Sequence, residues 1–255
     1  GRAGRQRLYR QFAASGPMMI GLKELAAQRG LPIQITASAD EHAKQVVDRV
    51  LAALRAAIDA RGRASLALSG GRSPKAMLRR LNTVEFDWEQ VTLTLVDERW
   101  VAPEHADSNA GLLWRHMPAV MNKVNWLPLY RGIGLAEDAA ASSALIADLL
   151  PLDAVVLGMG ADGHTASLFP GAHDIMQMLA PDASAPCMPA LSTSGAQRLT
   201  LSGAALHSAR LQLLAVRGED KAMTLCAALA GQHPEWPISS FLRAPLEIIY
   251  SPDGS

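Results

Sequence analysis

The sequence predicts an α/β domain built on a mostly parallel sheet with helices on both faces. Runs of strand length alternate with helical stretches, and "ASLAL", "VTLTLV", "AVVLGMG" and "LQLLAV" read as mainly apolar runs without charge, as in strands covered on both faces. Neither an internal repeat nor a long linker interrupts the 255 residues, a length that supports one substantial core.

Residues 1–17 stand apart. "GRAGRQRLYRQ" holds four arginines and no acid, and is read as an extension ahead of a start at Met18 or Met19. A transit peptide and a nucleic-acid arm are the other readings of such a tail. Residues 18–255 are taken as a single α/β domain, with its first clear element at Ser38. There Ser38 and Glu41 have capping-box spacing, and Val46, Val47, Val50, Leu51, Leu54 and Ile58 form one stripe. Gly62 suits the left-handed position that ends the helix.

A strand, a glycine turn and a helix from Pro74 follow, with Ser73 placed to cap that helix. "VTLTLVDERW" is a strand ending abruptly in charge at Asp97, and Ser108 or Asn109 caps a helix running to Met117. "AEDAAASSALIADLL" is helical. The strand "AVVLGMG" runs into "ADGHTASLFPG", a glycine-rich turn ahead of an expected helix start. "RLTLSG", "LQLLAVRG" and "LEIIYS" are further strands, with a helix at "EDKAMTLCAALAG".

Basic and acidic residues balance at 24 each, so no overall field favours nucleic acid or an anionic membrane. No apolar run reaches the roughly 18 residues of a membrane span. Cys187 and Cys226 lack metal-pair spacing and are read as reduced thiols of a cytoplasmic protein. The histidines lack metal-ligand spacing as a set.

Ligands of open α/β sheets bind beyond the carboxyl ends of the strands. Three strands end in unusual sequence, and the topology is expected to gather those ends: Ser69 to Ser73, Asp97-Glu98-Arg99, and Gly158 to His164. Gly70, Gly71, Arg72 and Ser73 form a candidate anion cradle at a helix start, although such glycines also mark a plain tight turn. The turn lacks the ending of a Walker loop, and "GMGADG" fits a dinucleotide fingerprint only in letters. Asp97-Glu98-Arg99 is either a solvated charge cluster, in which Arg99 pairs with Asp97 or a neighbouring acid, or part of a site. A neutral imidazole can take a proton from water near neutral pH. His164 is therefore the candidate general base, and Asp162 either orients its ring or contacts substrate hydroxyls. No serine sits in a G-x-S-x-G elbow.

Together, "LSGGRSP", "VTLTLVDERWVAPEHADSN", "VVLGMGADGHTASLFPG", "AQRLTLSG" and "RGEDKAM" resemble the 6-phosphogluconolactonase family, in that family's order. The resemblance covers Ser38 to the C-terminus, with serine at position 73 where threonine is common. It implies a sheet of the glucosamine-6-phosphate deaminase-like class, a 6-phosphogluconolactone substrate, and no metal or organic cofactor. By position it places the phosphate against Gly70, Gly71, Arg72 and Ser73, with Arg198 and Lys221 completing that subsite. With that substrate, the residues expected to carry catalysis are His164, Asp162, Arg99 and Asp97: His164 as base, Arg99 and backbone N–H groups at the oxyanion, and the two aspartates orienting imidazole or sugar hydroxyls.

The related deaminases carry a catalytic glutamate after this turn, where the chain has Ser167-Leu168-Phe169-Pro170. A deaminase or isomerase and a non-enzymatic sugar-phosphate sensor are the competing expectations. The partner is a small sugar-phosphate lactone, with neither nucleic acid nor membrane, and the protein is a monomer or small homo-oligomer.

Overall fold

The computed structural model describes residues 16–183 and 185–254. The extension read at residues 1–17 lies outside them except for Gly16 and Pro17, which open helix α1 (Gly16–Gln28). This helix and strand β1 (Ile33–Ile35) precede the first element expected from sequence. Leu22 and Ala26 of α1 are fully buried, so the described core begins well before Ser38.

Helix α2 (Ala39–Arg61) has the expected ends. The Ser38 side chain accepts from Glu41 N at 3.1 Å, and Gly62 takes φ 75°, its N–H donating to the Ile58 carbonyl. The Glu41 carboxylate reaches one residue further back than in a standard capping box and accepts from Ala37 N at 3.1 Å. Val46, Val47, Val50 and Leu54 are buried; Leu51 and Ile58 lie at the stripe's edge, partly buried against the core.

The remaining elements are β2 (Ala64–Leu68), α3 (Lys75–Leu81), β3 (Val91–Leu95), β4 (Asp97–Arg99), α4 (Asn109–His116), α5 (Pro118–Met121), β5 (Asn125–Trp126), α6 (Leu135–Ala147) and β6 (Ala154–Leu157). They continue with α7 (Ile175–Leu179), β7 (Cys187–Leu191), β8 (Gln197–Leu201), α8 (Gly203–His207), β9 (Leu211–Arg217), α9 (Glu219–Leu229) and β10 (Leu246–Ser251). Seven strands form a parallel sheet in the order β1-β10-β9-β6-β2-β3-β5. Every residue of β2 and β6 is buried, so the sheet is covered on both faces at its centre. No helix among the described residues is long and apolar enough to cross a membrane.

Three expectations are corrected. "RLTLSG" is a strand, but β8 leaves the parallel sheet and runs antiparallel between β4 and β7 in a separate three-stranded sheet. Its apolar run is satisfied by burial in either setting, so periodicity could not separate them. The edge strand β7 carries Pro189, which a central strand would not tolerate. Secondly, Ser73 does not cap α3: the helix starts at Lys75, its N-cap is Pro74, and that position makes no side-chain hydrogen bond. Thirdly, no helix follows "ADGHTASLFPG" directly. The chain makes a bridge between Thr165 and Leu168, and α7 begins only at Ile175.

Because Leu22 is fully buried against the core, Leu22→Ala should cost about 2–5 kcal/mol of stability in urea denaturation. A loss below roughly 0.5 kcal/mol, the range of ordinary surface substitutions, would mean that α1 does not pack as described.

Candidate active site

From β2 the sheet grows through β3 to β5, and from β6 it grows the other way through β9 to β10. The strand order reverses between β2 and β6, where open α/β sheets hold their ligands. An open cleft of about 220 Å³ lies there, lined by Gly70, Gly71, Arg72, Ser73, Asp97, Arg99, His164, Arg198 and Lys221. The three unusual strand ends thus do converge.

The glycine turn is fitted closely to its neighbours. Ser69 Oγ donates to the Val156 carbonyl at 2.6 Å, tying β2 to β6 at the reversal. A Cβ on Gly70 would stand 1.9 Å from Asn109 Oδ1, so only glycine fits. Asn109 is held in turn, its amide donating to the Asp97 carbonyl at 3.0 Å.

Glu98 points away from the cleft. Its carboxylate accepts from the backbone N–H groups of Arg99, Asn109 and Ala110 at 2.7–2.8 Å and from Ser108 Oγ at 3.3 Å. It therefore closes the N-terminus of α4, while the Ser108 hydroxyl caps Gly111 N at 3.0 Å. Burial pushes the Glu98 carboxyl up to about 7; the three N–H donors oppose this and the charge of Asp97 adds to it.

Asp97 is also buried. Its Oδ2 accepts from Ser167 Oγ at 2.6 Å and lies 4.0 Å from Arg198 Nη1. The hydrogen bond to the imidazole ring is made by Asp162, whereas Asp97 bonds Ser167. Arg99 lines the cleft while its Nη1 donates to the Asp107 carbonyl at 2.7 Å.

The turn after β6 is built around one carboxylate. Asp162 Oδ1 accepts from both His164 N at 3.0 Å and His164 Nδ1 at 2.5 Å. Burial alone would raise the Asp162 carboxyl, but the backbone and ring bonds from His164 hold it below the usual carboxylate range. With Nδ1 carrying the proton toward Asp162, Nε2 keeps a free lone pair. Gly160 leaves room for this: a Cβ there would stand 2.1 Å from His164 Cε1. Gly163 turns through φ +82° against Trp236, and Ala166, a non-glycine residue, sits at φ +50° on the cleft wall. Such a conformation costs of order 1 kcal/mol and concentrates at functional sites.

The cleft is strongly cationic in a chain of zero net charge. Arg72, Arg99, Arg198, Arg217 and Lys221 line it, with Asp97 the one carboxylate of the lining. Arg198 is half-buried; desolvation and the nearby charge of Arg99 lower its pKa, and its buried Nε–H meets no acceptor among the described residues. Its guanidinium lies 5.5 Å from the Phe169 ring. An anion in the cleft would relieve this arrangement. Sequence reasoning missed Arg217 and the supporting role of Asn109. The signal for Arg217 was present, since "LQLLAVRGED" is another apolar strand ending in charge.

Residues 37–249 match the family model described as glucosamine-6-phosphate isomerases/6-phosphogluconolactonase. A protein named 6-phosphogluconolactonase from Pseudomonas aeruginosa is 42% identical over 238 residues, covering 91% of this chain and 100% of that protein. One of the same name from Pseudomonas putida is 43% identical over 240 residues, covering 91% and 98%. The crystal structure of a 6-phosphogluconolactonase from Shewanella baltica superposes with a TM-score of 0.81 at 29% identity, covering 87% of this chain and 97% of that one.

Since the Glu98 carboxyl is held above its unfolded-chain value of about 4.5, the folded protein binds that proton more tightly. The resulting stabilisation is complete below the unfolded value and is lost as pH rises toward 7. Wild type should therefore lose stability relative to Glu98→Gln between pH 4.5 and 7, by at most roughly 3 kcal/mol, measured by urea denaturation at each pH. A difference that is flat or grows with pH would show that Glu98 titrates at or below the ordinary value.

Proposed function

Because the chain belongs to the family of glucosamine-6-phosphate isomerases and 6-phosphogluconolactonases, we infer that it hydrolyses 6-phospho-D-glucono-1,5-lactone to 6-phospho-D-gluconate, the second step of the oxidative pentose phosphate pathway. The observation that carries the chemistry is the Asp162–His164 pair at 2.5 Å, opening on a cleft lined by five cations.

The imidazole Nε2 takes a proton from water, and the hydroxide so formed adds to the lactone C1 carbonyl. Arg99 stabilises the oxyanion that develops there. Collapse of the tetrahedral intermediate re-forms the carbonyl and breaks the bond from C1 to the ring oxygen, which takes the proton back from the imidazolium. The product acid then loses its own proton to solvent. Asp162 fixes the tautomer throughout, and Asp97 holds Ser167 and the Arg198 end of the cleft in place. The phosphate is assigned to Gly70, Gly71, Arg72 and Ser73 with Arg198 and Lys221, where the positive charge of the lining supports an anion.

The deaminase reading lacks its carboxylate. Ser167 is committed to Asp97, and Leu168 and Phe169 are buried. The thiols Cys187 and Cys226 suit a reducing compartment, and the cytoplasm is proposed as the place of action.

A coupled assay on freshly generated lactone should exceed the enzyme-free blank, and His164→Ala should cut turnover by roughly 10²- to 10⁴-fold. Full activity in a folded His164→Ala protein would remove the imidazole from the mechanism. Arg198→Ala and Lys221→Ala should chiefly raise KM for the phosphorylated lactone and spare turnover of unphosphorylated gluconolactone. Equal losses on both substrates would assign these residues to the scaffold.

A further inference from the structure

Arg217 ends β9 on the cleft side, in the region where the phosphate is placed. Its Nη2 donates to the Ser73 carbonyl at 3.1 Å, across 144 positions of sequence. Its Nη1 meets the Asp253 carbonyl at 3.5 Å, and the Asp253 carboxylate accepts from Ala39 N, the first residue of α2, at 2.9 Å. The backbone beneath is fixed by the pairing of Arg217 with Ser251 and by Gly218 N donating to the Ser251 carbonyl at 2.8 Å. The glycine turn gets little anchorage from its own helix: Pro74, the N-cap of α3, has no N–H and makes no side-chain cap, and Gly71 sits at φ +95°.

We propose that Arg217 is a positioning residue for the anion subsite, holding the turn at residues 70–73 in its anion-binding shape by gripping the Ser73 carbonyl. Pulling that carbonyl back toward β9 leaves the turn's N–H groups to the cleft, and the guanidinium adds its charge to the same wall. A planar fork can grip Ser73 with one nitrogen and Asp253 with another, which a lysine ammonium cannot do in the same geometry. The proposal rests on the lactonase reading for its substrate but not for its ligand chemistry, which is that of a phosphate group.

The test compares Arg217→Ala and Arg217→Lys with wild type in three measurements: kinetics on 6-phosphogluconolactone, kinetics on unphosphorylated gluconolactone, and inhibition or direct titration by inorganic phosphate. Arg217→Ala should raise both KM for the phosphorylated lactone and the phosphate dissociation constant roughly tenfold, the usual worth of a lost charged hydrogen bond. Its kcat should stay within about twofold, and the unphosphorylated substrate should not register the change. Arg217→Lys should recover part of the loss. Unchanged phosphate affinity in either folded variant overturns the proposal, as does an equal loss on both lactones. Should Arg217→Ala fail to fold, Arg217→Lys alone decides, since a loosened grip must still weaken phosphate. If wild type does not exceed the enzyme-free blank, the lactonase reading falls, and the phosphate titrations still judge Arg217.

Discussion

The cleft depends on a buried carboxylate that does not line it. Glu98 sits in a three-residue strand, and successive side chains of a strand point to opposite faces. Committing Glu98 to the N-terminus of α4 therefore commits Asp97 and Arg99 to the other side, toward the cleft. The same bonds seat Asn109 at the first position of α4, where its amide braces Asp97 and fills the space beside Gly70. One carboxylate thereby aligns a strand, a helix and the glycine turn. Its burial is costly, and three N–H donors with a hydroxyl are what make it tolerable.

The Asp162–His164 unit is organised differently, from within its own turn. Gly160 N donates to the His164 carbonyl at 2.9 Å, closing the loop on itself, and Asp162 takes both N–H groups of the histidine. Outside support comes from Trp236 against Gly163 and from Ile238 N donating to the Gly163 carbonyl at 2.9 Å. The imidazole is thus set by local geometry, whereas the cations of the cleft come from separate elements: Arg99, Arg198 and Arg217 from strands, Arg72 from the glycine turn and Lys221 from α9. An imidazole held by a short turn and cations held by other elements can each be adjusted without disturbing the other.

Much of this was legible in the sequence, because the relevant signals are local. The cap at Ser38, the left-handed Gly62, the apolar strands and the charged or glycine-rich strand ends are all encoded within a few residues. Three things were not. The sheet that β8 joins cannot be read from its residues, since an apolar run does not say which neighbour buries it. Ser73 was given a capping role because the helix was taken to start at Pro74, one residue before it does. Glu98 was grouped with Asp97 and Arg99 as one charge cluster, although strand alternation alone would have turned it to the opposite side. Arg217 shows the converse: its position at the end of an apolar strand was readable, but its partner Ser73 lies far away in sequence and only the fold joins them.

The parallel sheet pairs its first strand with its last, Ile33 against Ile248. A chain made from its N-terminus must therefore hold β1 without this partner until β10 has been synthesised. The closing of this edge also brings Ser251 beside Arg217 and Asp253 onto the start of α2. Site assembly waits on this pairing, because Arg217, which lines the cleft, gains its strand partner Ser251 only when β10 is in place. Fragments that lack β10, however compact, are consequently not small versions of the enzyme, and the strand edges they leave unpaired must be shielded.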